Sequence, residues 1–535
     1  MKKNLYKLVF TCLSFVGIGN AFAQTTIYDA NRWMDSDLNG TARFIGMGGA
    51  MSALGGDIST MGTNPAGIGI YRSNDAMISF GFTNTGAKDP GGASVDKFHG
   101  SFDNAGFVLS SKIGSATTLR YVNFGFNYHR NKSFNKNMVM NGLFGASQTE
   151  QMTRMLNFEG VDNFAPWEEG ILQAKNAYEN ADLPWLGLLG YNAYLSNPVY
   201  VRESEDSEEE VFDGYESYYQ NGDEVRQAYT ARERGGIHAY DFNVAFNLND
   251  RFYLGATIGA YSIDYSRTSL YKEDFTDAQG LGQGGYDLGN EYWADGSGVD
   301  FKLGFIWRPI ETSSFRIGAA VHTPTFYSIT ERNRAYIDHD IVLDNEHKKG
   351  RTEPMDKYDN PMDGEYKYHL TTPWKFNVST GYTIGTVAAL GLEYEYMNYS
   401  SAKLKDPDGM ELEQTSDINS MMKGVHTLRL GAEFKLAPEF AFRVGYNHIT
   451  ASMKSDAFKW LQDNSIRTDT EYSNRGATNN YTLGFGYRGE LFYADMAYMY
   501  SAYSEDFYAF DSVNLSGTKI DNNNHKVVFT LGMRF

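Results

Sequence analysis

The stretch VHTLRLGAEFKLAPEFAFRVGYN, residues 425–447, alternates almost without a break. Leu428, Leu430, Ala432, Phe434 and Leu436 fall on one face, and Thr427, Arg429, Gly431, Glu433 and Lys435 on the other. After Ala437-Pro438-Glu439 the pattern resumes, with Phe440, Phe442, Val444 and Tyr446 set against Ala441, Arg443, Gly445 and Asn447. Successive side chains of a strand point to opposite faces, so this reads as two strands joined by a tight turn. Each has one apolar face and one polar or small face. Tyr481, Leu483, Phe485 and Tyr487, opposed to Thr482, Gly484, Gly486 and Arg488, repeat the pattern.

A water-soluble sandwich alternates too, so the other features of the chain have to decide. The second face carries Arg, Glu, Lys and Gly, and large aromatics (Trp374, Tyr382, Tyr394, Tyr396, Tyr498, Tyr500) gather near strand ends. Apolar bands flanked by aromatic girdles around a polar lumen give this pattern. Fourteen segments pass the alternation test, starting near Ala76, Asn104, Leu119, Ile237, Phe252, Tyr292, Ser314, Tyr366, Thr386, Gly424, Phe440, Ala477, Leu491 and Asn524. Their connections are short and long by turns. Gly114-Ser115-Ala116-Thr117, Asn249-Asp250-Arg251, Pro309-Ile310-Glu311-Thr312 and Arg488-Gly489-Glu490 are short. The stretches 85–103, 131–236, 268–290, 331–365, 401–422, 455–475 and 504–523 are long. Short periplasmic turns and long extracellular loops belong to outer-membrane barrels. The expectation is an all-β fold: a 14-stranded antiparallel transmembrane β-barrel in the cell outer membrane, with both termini on the periplasmic side.

The two ends of the sequence agree with export to that membrane. Lys2, Lys3 and Lys7 precede the short apolar run Leu8–Ile18, and Ala21-Phe22-Ala23 supplies a small-x-small cleavage pattern. Residues 1–23 therefore read as a signal peptide, leaving Gln24 first. Cys12, the only cysteine, lies within it, so the remaining chain has no thiol for a disulfide, a metal or redox chemistry. No later run of about 18 apolar residues offers a helical span. Losing three lysines takes the net charge from −19 to −22, a surface that repels nucleic acid. It suits loops beside lipopolysaccharide bridged by divalent cations. At the other end, Val527–Phe535 is an alternating strand that stops on an aromatic residue. It resembles the usual ending of outer-membrane barrels, whose terminal Phe, here Phe535, is read by the barrel-assembly machinery.

The insert at about 131–236 reads as an extracellular cap. Trp167–Lys175 has a helical pattern, Pro184–Leu189 is apolar, and Glu203, Glu205, Asp206, Glu208, Glu209 and Glu210 form an acidic run. That run lacks the Gly-punctuated spacing of a calcium loop. Residues 24–75 do not alternate like the barrel strands. They are dense in small residues (Gly40, Gly46, Gly48, Gly49, Gly55, Gly56), with Phe44, Met47, Met51, Leu54, Ile58 and Met61 at mixed spacings. Glycine allows close backbone approach and methionine makes an adaptable apolar surface, as a compact plug in a lumen requires. A dinucleotide loop is excluded, since no strand precedes the glycines and the G-x-G-x-x-G spacing breaks at Met51.

This Gly-rich stretch leads into Asn64-Pro65-Ala66-Gly67 shortly before the first strand, and in that it resembles the FadL/TodX family of outer-membrane long-chain fatty-acid and hydrocarbon transporters. Phe305-Ile306-Trp307-Arg308-Pro309 with Phe315–Ala320, Thr372-Pro373-Trp374-Lys375-Phe376 with Ala389–Tyr394, and Phe442-Arg443-Val444-Gly445-Tyr446 are similar to later strands of that family. The insert at 131–236 departs from its better-known members. The resemblance implies an N-terminal hatch (24–75) inside a barrel (76–535). A hydrophobic small-molecule ligand would enter from the loops, bind beside the hatch and leave sideways through the wall into the lipid. It implies Phe44, Met47, Met51 and Leu54 as the inner pocket, and Asn64, Pro65, Ala66 and Gly67 as the turn from hatch to barrel. It also implies a monomer that works without a cofactor, metal or nucleic acid.

An outer-membrane enzyme would need a nucleophile or an acid pair beside a histidine. The ten histidines are scattered, and neither G-x-S-x-G nor H-E-x-x-H occurs. A haem receptor or a component of an export machinery remains open on the same barrel, although no axial ligand pair stands out. An open porin conflicts with the apparent plug.

Overall fold

The computed structural model describes residues 24–157, 177–202, 210–219, 224–276, 282–343 and 345–535. The expected signal peptide, the expected helix at 167–175 and all of the acidic run but Glu210 lie outside the described residues.

Fourteen strands make the barrel: β1 Asp75–Lys88, β2 Ser94–Lys112, β3 Leu119–Ser133, β4 Glu224–Leu248, β5 Phe252–Thr276, β6 Gly282–Trp307 and β7 Arg316–His322. They continue as β8 Lys375–Ile384, β9 Ala388–Asn398, β10 Gly424–Lys435, β11 Phe440–Ile449, β12 Thr478–Arg488, β13 Phe492–Tyr508 and β14 Thr518–Arg534. Each pairs antiparallel with the next. β14 pairs with β1 from Asp75↔Arg534 to Lys88↔Asp521, which closes the sheet and leaves no edge. The last residue completes the seam: Phe535 and Asn74 exchange backbone hydrogen bonds of 3.2 and 3.1 Å.

Register turns the alternation of single strands into a belt. Phe242 lies opposite Ile258, Ile258 opposite Phe301, Val378 opposite Tyr394, Leu392 opposite Leu430, and Phe442 opposite Phe485. All of these are exposed on the outside. The opposite faces bury Asn123, Asn127, Asp241, Thr257, Lys302, Glu393 and Arg443. A polar interior inside an apolar belt suits hydrocarbon outside, as in a membrane-crossing barrel. No helix among the described residues is long and apolar enough to cross a membrane.

Several stretches expected as loops are strands. β2, β4, β6 and β14 start at Ser94, Glu224, Gly282 and Thr518, 6 to 13 residues before the sequence placed them. The stretch 268–290 is the top of the β5–β6 hairpin, and 331–365 holds strands Phe326–Leu343, Glu346–Thr352 and the start of Gly364–Thr371. At about 3.3 Å per residue, the 25 residues of β5 reach about 80 Å. Only about 9–11 residues are needed to cross, so more than half of the strand stands outside the membrane. On this raised wall sits the insert. Its helices Gln148–Leu156 and Trp185–Asn192 bury Met152, Leu156, Trp185, Leu186 and Leu189 in one apolar cluster. The apolar stretch 184–189 is thus the start of a cap helix.

Candidate ligand path

The N-terminal segment begins with helix α1, Ile27–Met34. Asp29 reaches back to its start: the Thr26 N–H and hydroxyl both donate to the Asp29 carboxylate, at 2.9 and 2.7 Å. The same carboxylate meets Arg467 from the loop between β11 and β12, whose guanidinium also pairs with Asp469 at 2.7 Å and donates to the Tyr366 hydroxyl oxygen at 3.0 Å. Burial works against charge on Asp29, but Arg467 and Arg32 outweigh it and hold the carboxyl well below its usual range. The Trp33 indole donates to the Tyr368 hydroxyl at 2.7 Å. These contacts tie α1 to the raised end of the wall, the end away from the seam of Asn74 and Phe535.

Further along, the segment rests on the wall backbone to backbone. Gly381, Gly391, Gly431 and Gly445 stand in register across β8, β9, β10 and β11. A Cβ at Gly391 would lie 2.0 Å from the Ala50 carbonyl oxygen, and one at Gly431 2.3 Å from that of Met47. At Gly445 it would lie 2.1 Å from the Gly48 nitrogen, and at Gly381 2.9 Å from the Leu54 side chain. The row is a track, free of side chains, on which residues 47–54 lie. Gly255 and Gly304, paired across β5 and β6, make a second such place. There a Cβ would reach the Pro65 carbonyl carbon at 2.3 Å and Asn64 Oδ1 at 2.1 Å.

Charges fasten what the glycines seat. Arg43 forks onto Glu433 at 2.9 and 3.0 Å; Glu433 also takes Arg443 at 2.6 Å, and Arg443 reaches Asp495 at 2.7 Å. The Ala42 N–H donates to the Thr530 hydroxyl at 2.7 Å. A bidentate Arg–carboxylate pair fixes orientation as well as distance.

Phe44, Met47, Met51 and Leu54 are all buried, in one cluster with Leu38, Ala42 and Ile45 and with Ala389, Ala497, Met499 and Val528 of the wall. Asn64 is the N-cap of a short 3-10 helix, Pro65–Ile70: its side chain accepts from the Ala66 N–H at 3.1 Å, and its amide donates to the Phe305 carbonyl at 3.1 Å. Pro65 opens that helix, and Gly67 passes Thr60 so closely that a Cβ would meet its hydroxyl at 2.4 Å. Phe535 is exposed at the end of β14.

Three cavities adjoin the segment. The first, about 290 Å³, is lined by Arg32, Arg130, Lys132, Glu233, Arg475 and Lys526 among others. The second, about 90 Å³, shares Asp35, Asp37, Leu38 and Tyr399 with it and is bordered by Phe44. The third, about 60 Å³, shares Gly62, His129, Lys375 and Met397 with the second. The residues that seat the segment, the wall glycines and the linked pairs Arg43–Glu433, Glu433–Arg443 and Arg443–Asp495, were missed in the sequence. Gly431 and Gly445 were visible on the small-residue face, but only register sets them side by side.

The fold is that of a closed fourteen-stranded membrane barrel whose inward-facing residues hold an ordered N-terminal segment. No family model and no curated protein matches the chain. Among solved structures it is similar to a Pseudomonas aeruginosa FadL homologue, at 13% identity over 94% of this chain and 99% of that one, with a TM-score of 0.47. It is also similar to the P. putida toluene transporter TodX, at 10% identity over 93% and 99%, with a TM-score of 0.46. For the Ralstonia pickettii toluene transporter TbuX the figures are 13% identity, 93%, 99% and 0.44. Similarity this remote leaves function to be read from the chain itself.

Proposed function

We propose that this chain is an outer-membrane transport protein for hydrophobic small molecules such as long-chain fatty acids. Residues 24–75 are its hatch, ligands pass by hatch-gated diffusion, and they leave sideways into the lipid. What carries the reading is the seating of residues 47–54 on the glycine row: a segment held at backbone distance across four strands obstructs a water-filled pore, with cavities of about 290, 90 and 60 Å³ beside it. An apolar solute gains nothing from an aqueous channel and is favoured in hydrocarbon, so the wall is its downhill route. Phe44, Met47, Met51 and Leu54 supply the apolar lining that a shifted hatch exposes to the ligand. Asn64, Pro65, Ala66 and Gly67 fix the turn into the barrel. Residues 1–23 direct export, Phe535 marks the chain for insertion, and the acidic loops face lipopolysaccharide around a monomer.

The test is uptake of radiolabelled oleate by cells that lack their own transporter and express this chain. Saturable uptake is the expected result. No uptake, with a folded and heat-modifiable barrel present in the membrane, would leave the fold standing and overturn transport.

A further inference from the structure

The outer face of the raised wall carries arginines, and three of them are neutralised. Arg332 pairs with Glu365 at 2.8 Å and with Asp295 at 3.0 Å, Arg334 with Asp363 at 2.7 Å, and Arg351 with Asp338 at 2.6 Å. Arg232 and Arg234 of β4 are different. Both are exposed on that face, while Glu233 between them turns the other way and lines the first cavity. Neither has a carboxylate partner among the described residues.

Their neighbours in the ladder supply no counter-charge. Arg232 lies opposite Asn137 on one side and Thr268 on the other, and Arg234 lies opposite Ser266. Asp264, one outward position nearer the membrane on β5, pairs with neither arginine. A third cation comes from β2: Lys97 Nζ donates to the Glu233 carbonyl, between the two arginines, at 2.5 Å. Cations gathered without an anion repel one another, and an anion set among them removes that cost. In a chain of net charge −19 such a place stands apart.

Height on the wall decides which anion fits. Going up β4, the exposed apolar residues are Phe246, Phe242 and Tyr240, and Tyr240 is the last. Arg234 stands six residues above it. At about 3.3 Å per residue and a tilt of about 45°, that is about 14 Å beyond the edge of the apolar belt. The headgroup zone of a bilayer adds only about 5–7 Å to each side of the hydrocarbon, so a phospholipid phosphate lies below the arginines. A glycolipid whose phosphates sit on sugars reaches higher, and Ser266, Thr268 and Asn137 stand beside the arginines as hydrogen-bonding partners for those sugars.

We propose that Arg232, Arg234 and Lys97 form a site on the outside of the barrel for a sugar-borne phosphate of lipopolysaccharide. Guanidinium forks match phosphate oxygens in pairs, which gives the site direction as well as charge. The proposal rests on the outer-membrane reading, not on transport, and names the place on the wall where the leaflet is held.

The test is lipopolysaccharide binding to the purified barrel in detergent, followed by native mass spectrometry. Arg232→Gln/Arg234→Gln is expected to weaken binding about tenfold or more. Arg332→Gln/Arg334→Gln, which removes cations that are already paired, should change it less than about twofold. Lipopolysaccharide stripped of its phosphates should bind the unaltered barrel as weakly as the intact lipid binds the first variant, an arm that needs no variant to fold. Undiminished binding in either case, or none by the unaltered barrel, would overturn the site. Equal competition by phosphatidylglycerol would overturn the assignment to lipopolysaccharide. No oleate enters the assay, so failure of the transport reading would leave its result standing.

Discussion

Seating of the N-terminal segment on the glycine row can be tested by adding single methyl groups. Gly391→Ala places a Cβ 2.0 Å from the Ala50 carbonyl oxygen, where ordinary contact begins at 3.4 Å. The segment or the wall must therefore give by about 1.4 Å in a close-packed interior. Overpacking of this kind costs about 1–3 kcal/mol. Local propensity pulls the other way, because Gly to Ala inside a strand gains about 0.5–1 kcal/mol. The sign of the change thus reports whether the segment is there. Gly431→Ala, 2.3 Å from the Met47 carbonyl oxygen, should behave alike, whereas Gly100→Ala meets nothing closer than 3.8 Å and should be neutral or stabilising. The two wall sites are register partners under one segment, so the double variant should not be additive. Guanidinium unfolding of the barrel in detergent gives the energies, and conductance in planar bilayers shows whether the displaced segment admits ions. Stabilisation at Gly391 and Gly431, with no conductance, would refute the seating.

Two further outcomes are expected. Arg467→Met leaves Asp29 and Asp469 buried beside fewer cations; such a loss costs about 3–5 kcal/mol and should lower the guanidinium midpoint and expose α1 to protease. Glu273, on the part of β5 that stands outside the membrane, accepts from Ser147, Tyr271 and the Gln148 N–H beneath the cap. Burial pushes its carboxyl up to about 7, against those hydrogen bonds. A folded value above the ordinary 4.5 means the folded cap holds the proton more tightly, so this stabilisation is complete below about 4.5 and lost as pH rises through about 7. Hydrogen exchange in the helix Gln148–Leu156 should therefore speed up across that window, and Glu273→Gln should flatten the dependence.

The strand count was legible because lipid and lumen demand opposite chemistry on alternate residues; the expected segments have barrel strands at their places, except that the one near Tyr366 begins in the strand Gly364–Thr371, nine residues before β8. Starting points failed where that demand stops. Above the membrane the outward face meets water, so the upper part of β4 alternates with reversed polarity, Arg226, Thr230 and Arg232 outward and Val225, Tyr229 and Ala231 buried, and the start of β6 is rich in glycine. At the candidate path, Asn64-Pro65 stood out by its turn chemistry. The track beneath residues 47–54 did not, since Gly381, Gly391, Gly431 and Gly445 are 10, 40 and 14 residues apart and meet only through register. Arg467, far along the chain in a long loop, gave no sign that it would fasten Asp29.

The most direct measurement of the central claim is oleate uptake with and without residues 24–62, the signal segment being retained. With the segment in place, uptake should be saturable and ion conductance low. Its removal should open the barrel to ions and change both the rate and the saturation of uptake. A truncated, heat-modifiable barrel that takes up oleate as the intact one does, and conducts no better, would contradict the hatch.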